Sequence, residues 1–438
     1  MADPRPDAAT LLQACRDAGA ADAEVLVTEG TITVLSCDRG GRSRSAPRDT
    51  WAASVRVVDG RGAVGRIELS GGKRLDPRKA AQQALDRAAA ASPDPADGPP
   101  VRLDVPERGL GILDLRLEAM DDEARTEVIE LNLEGAEGAA EGVEPESFTY
   151  RERVQTRSFR STNGVVAVEQ SSRFELTGQV RDTRSGQVLT DSVHSRHFAD
   201  VASVPLGVDL CRRLAGYGVE APLPTGNVAL LLDPIAVARL LPVLAPAFSG
   251  EVIEAGRSFL AGRLGQRIAS SRLHIIDDAA AAGALETRAF DDRGVPAMPI
   301  PLLREGVCGS TYRGPRLARQ RNQRPTGHER ADGSLWPGNL VVRSGTRSRN
   351  MLLPDLRAHV AIADLLDLGG VDLVQGTLDL PVLALAMDGP QVVGCAGQRR
   401  LQCTITDLLS AVVHVCSDQQ RIRDVDACTW ILEGVALS

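Results

Sequence analysis

Aromatic side chains make up only 3% of this 438-residue chain, so its core has to be assembled from leucine, valine and alanine. Lysine is almost absent. Of 50 Lys plus Arg, only Lys73 and Lys79 are lysine. With the alanine richness, this reads as the mark of a GC-rich bacterial coding sequence rather than as an anion-binding device. The formal net charge of −8 gives no cationic footprint, and no basic patch is interleaved with aromatics, so general nucleic-acid binding is not expected. Long apolar runs are missing too. The longest, Val228 to Phe248, is interrupted by Asp233, Pro234, Arg239, Pro242 and Pro246, which suits a buried strand and helix rather than a membrane span. The N-terminal MADPRPDAATLLQ has neither a basic nor an apolar leader region, so no signal peptide is expected. The eight cysteines (Cys15, Cys37, Cys211, Cys308, Cys395, Cys403, Cys416, Cys428) form no CxxC pair and are read as reduced thiols of a cytoplasmic protein.

What is present is ordinary for a globular chain with a real core, 43% hydrophobic and 25% charged. Ala8 to Asp17 predicts a short amphipathic helix. Two alternating runs, Ala23–Thr28 and Thr31–Cys37, predict a hairpin closed at Glu29-Gly30. A second hairpin is expected from Ser54–Val58 and Ala63–Leu69, turned by Asp59-Gly60. Asp76 and Pro77 open a helix to about Ala91, since Asp caps free N–H groups and Pro suits the first turn. Ser92–Pro100 reads as a surface linker, and Glu118 to about Glu134 as an acidic helix. Arg151 to Val180 alternates like paired strands about a Thr162-Asn163-Gly164 turn. A brief helix is expected at Asp209–Tyr217 and a domain boundary at Gly218–Asn227. Val228–Leu232 then reads as a buried strand and Pro234–Leu244 as a helix. From Leu273 onward the chain is strand-rich, with turns at Asp292–Gly294 and Arg304–Gly306, and a late amphipathic helix is expected over about Thr406 to Val415. The pattern is mixed α+β with antiparallel hairpins, in two domains (1–221 and 222–438).

A run of motifs, in order along nearly the whole chain, resembles the TldD/TldE (PmbA) family. Val55–Gly65 (VRVVDGRGAVG) is similar to the family's glycine-bearing hairpin, and Ser161–Val180 to its following strand pair. Phe248–Ser270 (FSGEVIEAGRSFLAGRLGQRIAS) resembles the "sGe…grSfLagklGe.vas" signature. Leu273–Asp278 (LHIIDD) and Arg288–Tyr312 resemble the next strand and hairpin, and Pro325–Gly333 (PTGHERADG) sits where the family has an "sTGna.R" loop. The resemblance implies a two-domain α+β fold with antiparallel sheets and flanking helices. It also implies a heterodimer in which a TldD-like chain carries an HExxxH zinc motif and acts as metallopeptidase, while the TldE-like partner helps enclose the peptide cavity.

The zinc chemistry is missing from this chain. Hydrolytic zinc needs imidazole, carboxylate or thiolate ligands and a base for its water. Laying the TldD-type segment ungapped over this sequence puts the two His and the Glu at Leu241, Pro246 and Pro242. A small register error changes nothing, because no His or Cys occurs from Asn227 through Leu273. No metal ligand, catalytic residue or resident cofactor is therefore expected here, and zinc is expected in the TldD-like partner. His194 and His197 (HSRH) are read as structural or surface groups, and His328-Glu329 as a loop pair. No GxSxG elbow or GxxxxGK[ST] loop occurs, and Gly60, Gly62 and Gly65 spell GxGxxG only inside a hairpin. Candidate substrate-cavity residues are Arg257, Ser258, Asp291, Asp292 and Gly376. For Ser258 a helix-capping role competes, and for Asp291-Asp292 simple turn chemistry. The "tGdfS.gasG" loop of TldE-like chains is replaced by QGTLDLPVLALAMDGPQ, which keeps Gly376 and loses most glycines, pointing to a specialised paralogue that matures a peptide or natural product.

The expectation is thus a non-catalytic TldE-like subunit of a TldD/TldE metallopeptidase, binding peptide, with no nucleic acid and no membrane partner. The rival readings are a stand-alone peptide-binding or scaffold protein, and an autonomous hydrolase built on His194 and His197.

Overall fold

The computed structural model describes residues 5–38, 41–71, 75–98, 105, 109–117, 120–223, 229–353 and 359–438. Parts of three expected features, Glu118, Pro99-Pro100 and residues 224–228, lie outside the described residues.

The first half is one antiparallel sheet with helices on one face. Its strands are β1 (Asp22–Asp38), β2 (Gly41–Val58), β3 (Val64–Ser70), β4 (Val143–Ser161), β5 (Val166–Asp182) and β6 (Val188–Ser195), in the order β3-β2-β1-β4-β5-β6. Alternation decides which face is dry. Val25, Val27, Val55 and Val57 pack under α1 (Ala8–Asp17) and α2 (Pro77–Ala90). Phe148, Tyr150, Phe174 and Leu176 pack under α3 (Asp122–Ala136) and α5 (Leu206–Tyr217), with the short α4 (Phe198–Ala202) alongside. The opposite face carries Glu24, Arg56, Arg153, Arg157 and Arg173, and this polar face meets the second half of the chain.

Helix starts follow their caps. The Asp7 carboxylate accepts from Thr10 N–H at 2.7 Å, Asp76 from Arg78 N–H at 3.0 Å, and Asp121 from Ala124 N–H at 2.9 Å. Two local expectations are corrected. Residues 23–37 form no hairpin, because β1 runs unbroken through Glu29 and Gly30. A Cβ on Gly30 would stand 2.3 Å from the Val154 carbonyl oxygen of β4, so glycine here serves close strand approach rather than a turn. The late helix ends at Ser410, and Val412–Val415 is a strand paired with Trp430–Leu432, as its β-branched run favours. In the β2–β3 turn the positive φ falls on Gly62 (84°) rather than Gly60.

The second half holds two mixed sheets. One has six strands, built around Ile275–Asp278, Pro299–Arg304 and Asn339–Val342. The other is centred on β7 (Ala229–Leu232), which runs parallel to His359–Leu365 and antiparallel to Trp430–Leu432. α6 (Pro234–Leu244) and a 3₁₀ turn (Ala245–Phe248) sit among these sheets, in the largest hydrophobic core. All eight cysteines are free. Among the described residues no helix is long and apolar enough to cross a membrane.

Candidate functional site

The two halves are joined by ion pairs removed from water. Arg293 is 2% exposed; its Nε lies 2.7 Å from Glu24 Oε2 on β1, and its Nη1 lies 2.7 Å from Glu329 Oε1. Glu24 is also held by Arg56 of β2 at 3.2 Å, and Arg56 by Asp97 at 2.9 Å. Residues 92–98 are therefore pinned to the sheet, and Asp94 reaches Arg316 at 2.7 Å. Burial opposes the charge on Arg293, but Glu24 and Glu329 outweigh it and raise the guanidinium above its ordinary range.

Beside this junction, a cleft of about 540 Å3 opens between the polar sheet face and two loops of the second half. Its floor is polar strand residues such as Thr28, Ser54, Gln155 and Ser171, and its wall is Arg196, Glu286, Asp292, Arg330 and Trp336. Trp336 organises the wall. Its indole N–H donates to Glu286 Oε2 at 3.0 Å, and the guanidinium carbons of Arg157, Arg288 and Arg330 lie 5.0, 4.3 and 4.8 Å from its ring centroid. Arg157 bonds Asp292 at 2.6 Å, Glu169 at 3.2 Å and the Phe290 carbonyl at 3.0 Å. Arg173 bonds Glu286 at 2.9 Å. Burial alone would raise the Glu286 carboxyl, but Arg173, the Trp336 indole and Arg196 hold it below its ordinary range. A cleft of this size with convergent hydrogen-bonding groups can hold several residues of extended peptide. A groove of about 710 Å3 beside Tyr217 and Cys395 is larger, but its one carboxylate of low exposure, Asp364, is already paired with Arg239 at 3.0 Å.

The candidate residues separate into two places. Asp292 lines the cleft and bonds Arg157. Asp291, 1% exposed, turns inward and accepts from the N–H groups of Arg293, Val295 and Glu329 at 2.9 to 3.0 Å. Burial raises its carboxyl to about 7. Arg257, Ser258 and Gly376 are not among the cleft-lining residues. Ser258 donates to the Ala247 carbonyl at 2.8 Å and accepts from Leu260 N–H at 3.1 Å. Gly376 packs on Phe259, where a Cβ would come within 2.7 Å of the Phe259 Cβ. The cleft arginines lie outside the sequence-based candidates, although Arg153 and Arg157, with Arg151 before them, recur at even spacing along one strand. That period places all three on one face, which was the available signal.

His328 and His194 both make internal polar contacts. His328 Nε2 lies 3.3 Å from Asp277 Oδ1, and Tyr312 donates to Asp277 Oδ2 at 2.6 Å. None of the three exceeds 3% exposure, so this chain of polar groups is walled off from solvent. His194 Nε2 is 2.8 Å from Ser192 Oγ, which also accepts from Arg423 Nη2 of the second half at 3.0 Å. Burial and then Arg423 push His194 from its ordinary 6.5 down to about 4. Because the folded-state value is depressed, His194 favours the folded chain above pH 6.5 and loses that contribution as pH falls toward 4. His194→Gln is expected to flatten this part of a stability-against-pH profile, read by denaturant midpoints; an unchanged profile would contradict the assignment.

The residues that the family resemblance sets against the zinc motif lie in α6 and its 3₁₀ extension. Leu241 is 4% exposed in the main core, and Pro242 and Pro246 offer no donor atom. The residues do not fit the metal. Among the described residues, no group of three or more His, Cys, Asp or Glu side chains could hold one.

Solved structures similar to this chain settle the architecture. A Thermotoga maritima protein described as a modulator of DNA gyrase superposes with a TM-score of 0.86 at 19% identity, over 98% of both chains. A Bacteroides thetaiotaomicron protein with a similar description gives 0.86 at 16% identity, over 98% of both. TldE from Thermococcus kodakarensis gives 0.84 at 17% identity, over 98% of this chain and 99% of that one. The fold is that of the TldD/TldE (PmbA) family. Residues 225–438 match the family model described as the PmbA/TldA metallopeptidase C-terminal domain. In sequence, this TldD/TldE-fold chain is similar to a metalloprotease of Methanocaldococcus jannaschii at 26% identity and to one of Methanothermobacter thermautotrophicus at 29%. Each match covers 32% of this chain and 32% of the relative, so the chain spans about a third of the length of these two relatives.

Proposed function

We propose that this chain is the non-catalytic, TldE-like subunit of a cytoplasmic TldD/TldE peptidase, its two domains dividing near residue 222. In this reading it pairs with a zinc-bearing TldD-like chain and shapes the cavity that receives an extended peptide, for degradation or for maturation of a peptide product. The observation that carries the reading is a contrast within one fold. The segment expected to grip a Lewis acid is aliphatic and sits in the core, while a polar cleft of peptide size stands between the two halves. Asp292, Trp336 and the cleft arginines are assigned to substrate contact and the exposed Arg257 to the surface that faces the partner's cavity, with the buried Ser258 and Gly376 shaping the turns behind it. An extended peptide offers backbone donors and acceptors at regular spacing, which strand-borne polar groups suit.

Co-expression with an HExxxH-bearing TldD-like chain tests the proposal. The two chains are expected to co-elute as one complex that cleaves peptide, with Asp292→Ala lowering cleavage about tenfold or more while leaving co-elution intact. Separate elution of the two chains, or cleavage by the TldD-like chain undiminished without this one, would sink it.

A further inference from the structure

Within the cleft the charges do not balance. Its lining holds five arginines against three carboxylates, in a chain whose net charge is −8. The excess is concentrated. Arg153 of β4 stands directly opposite Arg173 of β5, and across β1 the same row continues through Ile32 to Arg48. Like charges facing each other across strands destabilise a sheet, and an arrangement of this kind is relieved when an anion joins the row. Arg173 has its carboxylate, Glu286. Among the described residues the Arg153 side chain makes no hydrogen bond or ion pair, and Glu175 attracts it only from further off. Burial, Arg173 and Arg151 together hold its guanidinium below the ordinary range.

A second observation lies deeper. Arg196 is 9% exposed, and among the described residues no carboxylate stands within ion-pair distance of it, Glu286 and Glu169 attracting it only from further off. Its two terminal nitrogens donate to the Ser172 carbonyl at 3.0 Å and the Thr287 carbonyl at 3.2 Å, and its Nε has no partner at all. A guanidinium held by two neutral carbonyls, with its buried Nε–H unused, brings to the cleft wall a positive charge that no direct ion pair neutralises. Arg330 completes the rim. It stacks on Trp336 at 4.8 Å, which fixes its plane without using its donors. The remaining acids offset only part of this charge: Asp292 is paired with Arg157, Glu286 is bonded by Arg173 and Trp336 and attracts Arg196 from beyond ion-pair distance, and Glu68 is exposed.

We infer that Arg153, Arg196 and Arg330 form a carboxylate-binding cradle at one end of the cleft. The peptides this chain prefers then carry a carboxylate there, either an Asp or Glu side chain or a free C-terminus. The inference rests on the peptide-cleft reading above and adds the chemistry of the ligand. Guanidinium groups present paired N–H donors that match the two oxygens of a carboxylate, and such charge-assisted bonds exceed neutral ones in strength.

Titration calorimetry of the full chain with three tetrapeptides tests it: an acetylated, amidated peptide with one Glu, its Gln counterpart, and an acetylated all-alanine peptide with a free C-terminus. The Glu peptide or the free-acid peptide is expected to bind about tenfold or more tighter than the Gln peptide, and which of the two does so identifies the source of the carboxylate. Arg153→Gln and Arg330→Gln, both at the exposed rim, are expected to remove that preference. Arg196→Met is expected to do the same if its buried site still folds, and the rim variants decide the matter if it does not. Equal binding of all three peptides overturns the cradle and leaves the peptide cleft standing. Failure of all three to bind overturns both.

Discussion

Arg293→Met is expected to lower the stability of the junction between the two halves by about 3 to 5 kcal/mol, the range for removing one partner of a buried ion pair. Methionine keeps much of the side-chain volume and removes the charge. Glu24, 3% exposed, would then keep only Arg56, and Glu329 would lose its 2.7 Å partner. The penalty arises from carboxylates left charged without counter-charge, so neutralising them as well should restore part of it. Glu24→Gln combined with Arg293→Met is expected to be more stable than the sum of the single effects. Because a chain of three sheets need not unfold in one step, the quantity to follow is the first transition in a denaturant titration. A loss below about 1 kcal/mol would place the pair among ordinary surface bridges and contradict its role in joining the halves.

The neighbouring glycine should be nearly as sensitive. Gly294 has φ of 69°, and a Cβ there would sit 2.2 Å from Phe159 Cε1. Phe159 cannot swing away freely, since it is 1% exposed and packs on Phe290 with ring centroids 6.3 Å apart. Gly294→Ala combines left-handed backbone strain with overpacking, for a loss on the order of 3 kcal/mol. Gly60→Ala is the control, because nothing lies within 4 Å of its added Cβ and its φ is not positive. It is expected to stay within about 0.5 kcal/mol of the parent. Equal midpoints for the two variants would remove the steric account of the 291–295 turn.

How much of this was legible beforehand follows from the range of the forces involved. Helices with their own caps, Ala8–Asp17 and Pro77–Ala90, are specified by residues a few positions apart and read correctly. So did the β4–β5 pair about Thr162-Asn163-Gly164. Glu29-Gly30 misled because turn and close approach make the same demand on sequence, and only Val154, more than a hundred positions away, distinguishes them. Thr406–Val415 misled because its second half finds strand partners at Trp430–Leu432. The site was harder still. Glu24 and Arg293 lie 269 positions apart, and nothing local to either predicts the other. Of the residues proposed for the cavity, Asp292 falls on the cleft lining, while Asp291 turns away from it into backbone hydrogen bonds. Adjacent strand or turn residues commonly point to opposite sides, so the pair could not both face one cavity. The arginines were visible as letters, but their convergence on Trp336 depends on a loop supplied by the other half of the chain.

The family resemblance carried the architecture, and side-chain chemistry carries the functional reading. The resemblance sets Leu241, Pro242 and Pro246 against the zinc motif; Leu241 is buried in the main core, and the two half-buried prolines offer no donor atom. In the proposed reading this chain presents the cleft, and a TldD-like chain supplies the catalysis.

Metal analysis of separately purified chains and of their equimolar mixture bears most directly on that account. This chain alone is expected to retain no stoichiometric zinc after dialysis and to leave peptide intact, whereas the mixture with a TldD-like chain should hold about one zinc per pair and cleave. One zinc per molecule of the isolated chain, accompanied by peptide hydrolysis, would contradict it.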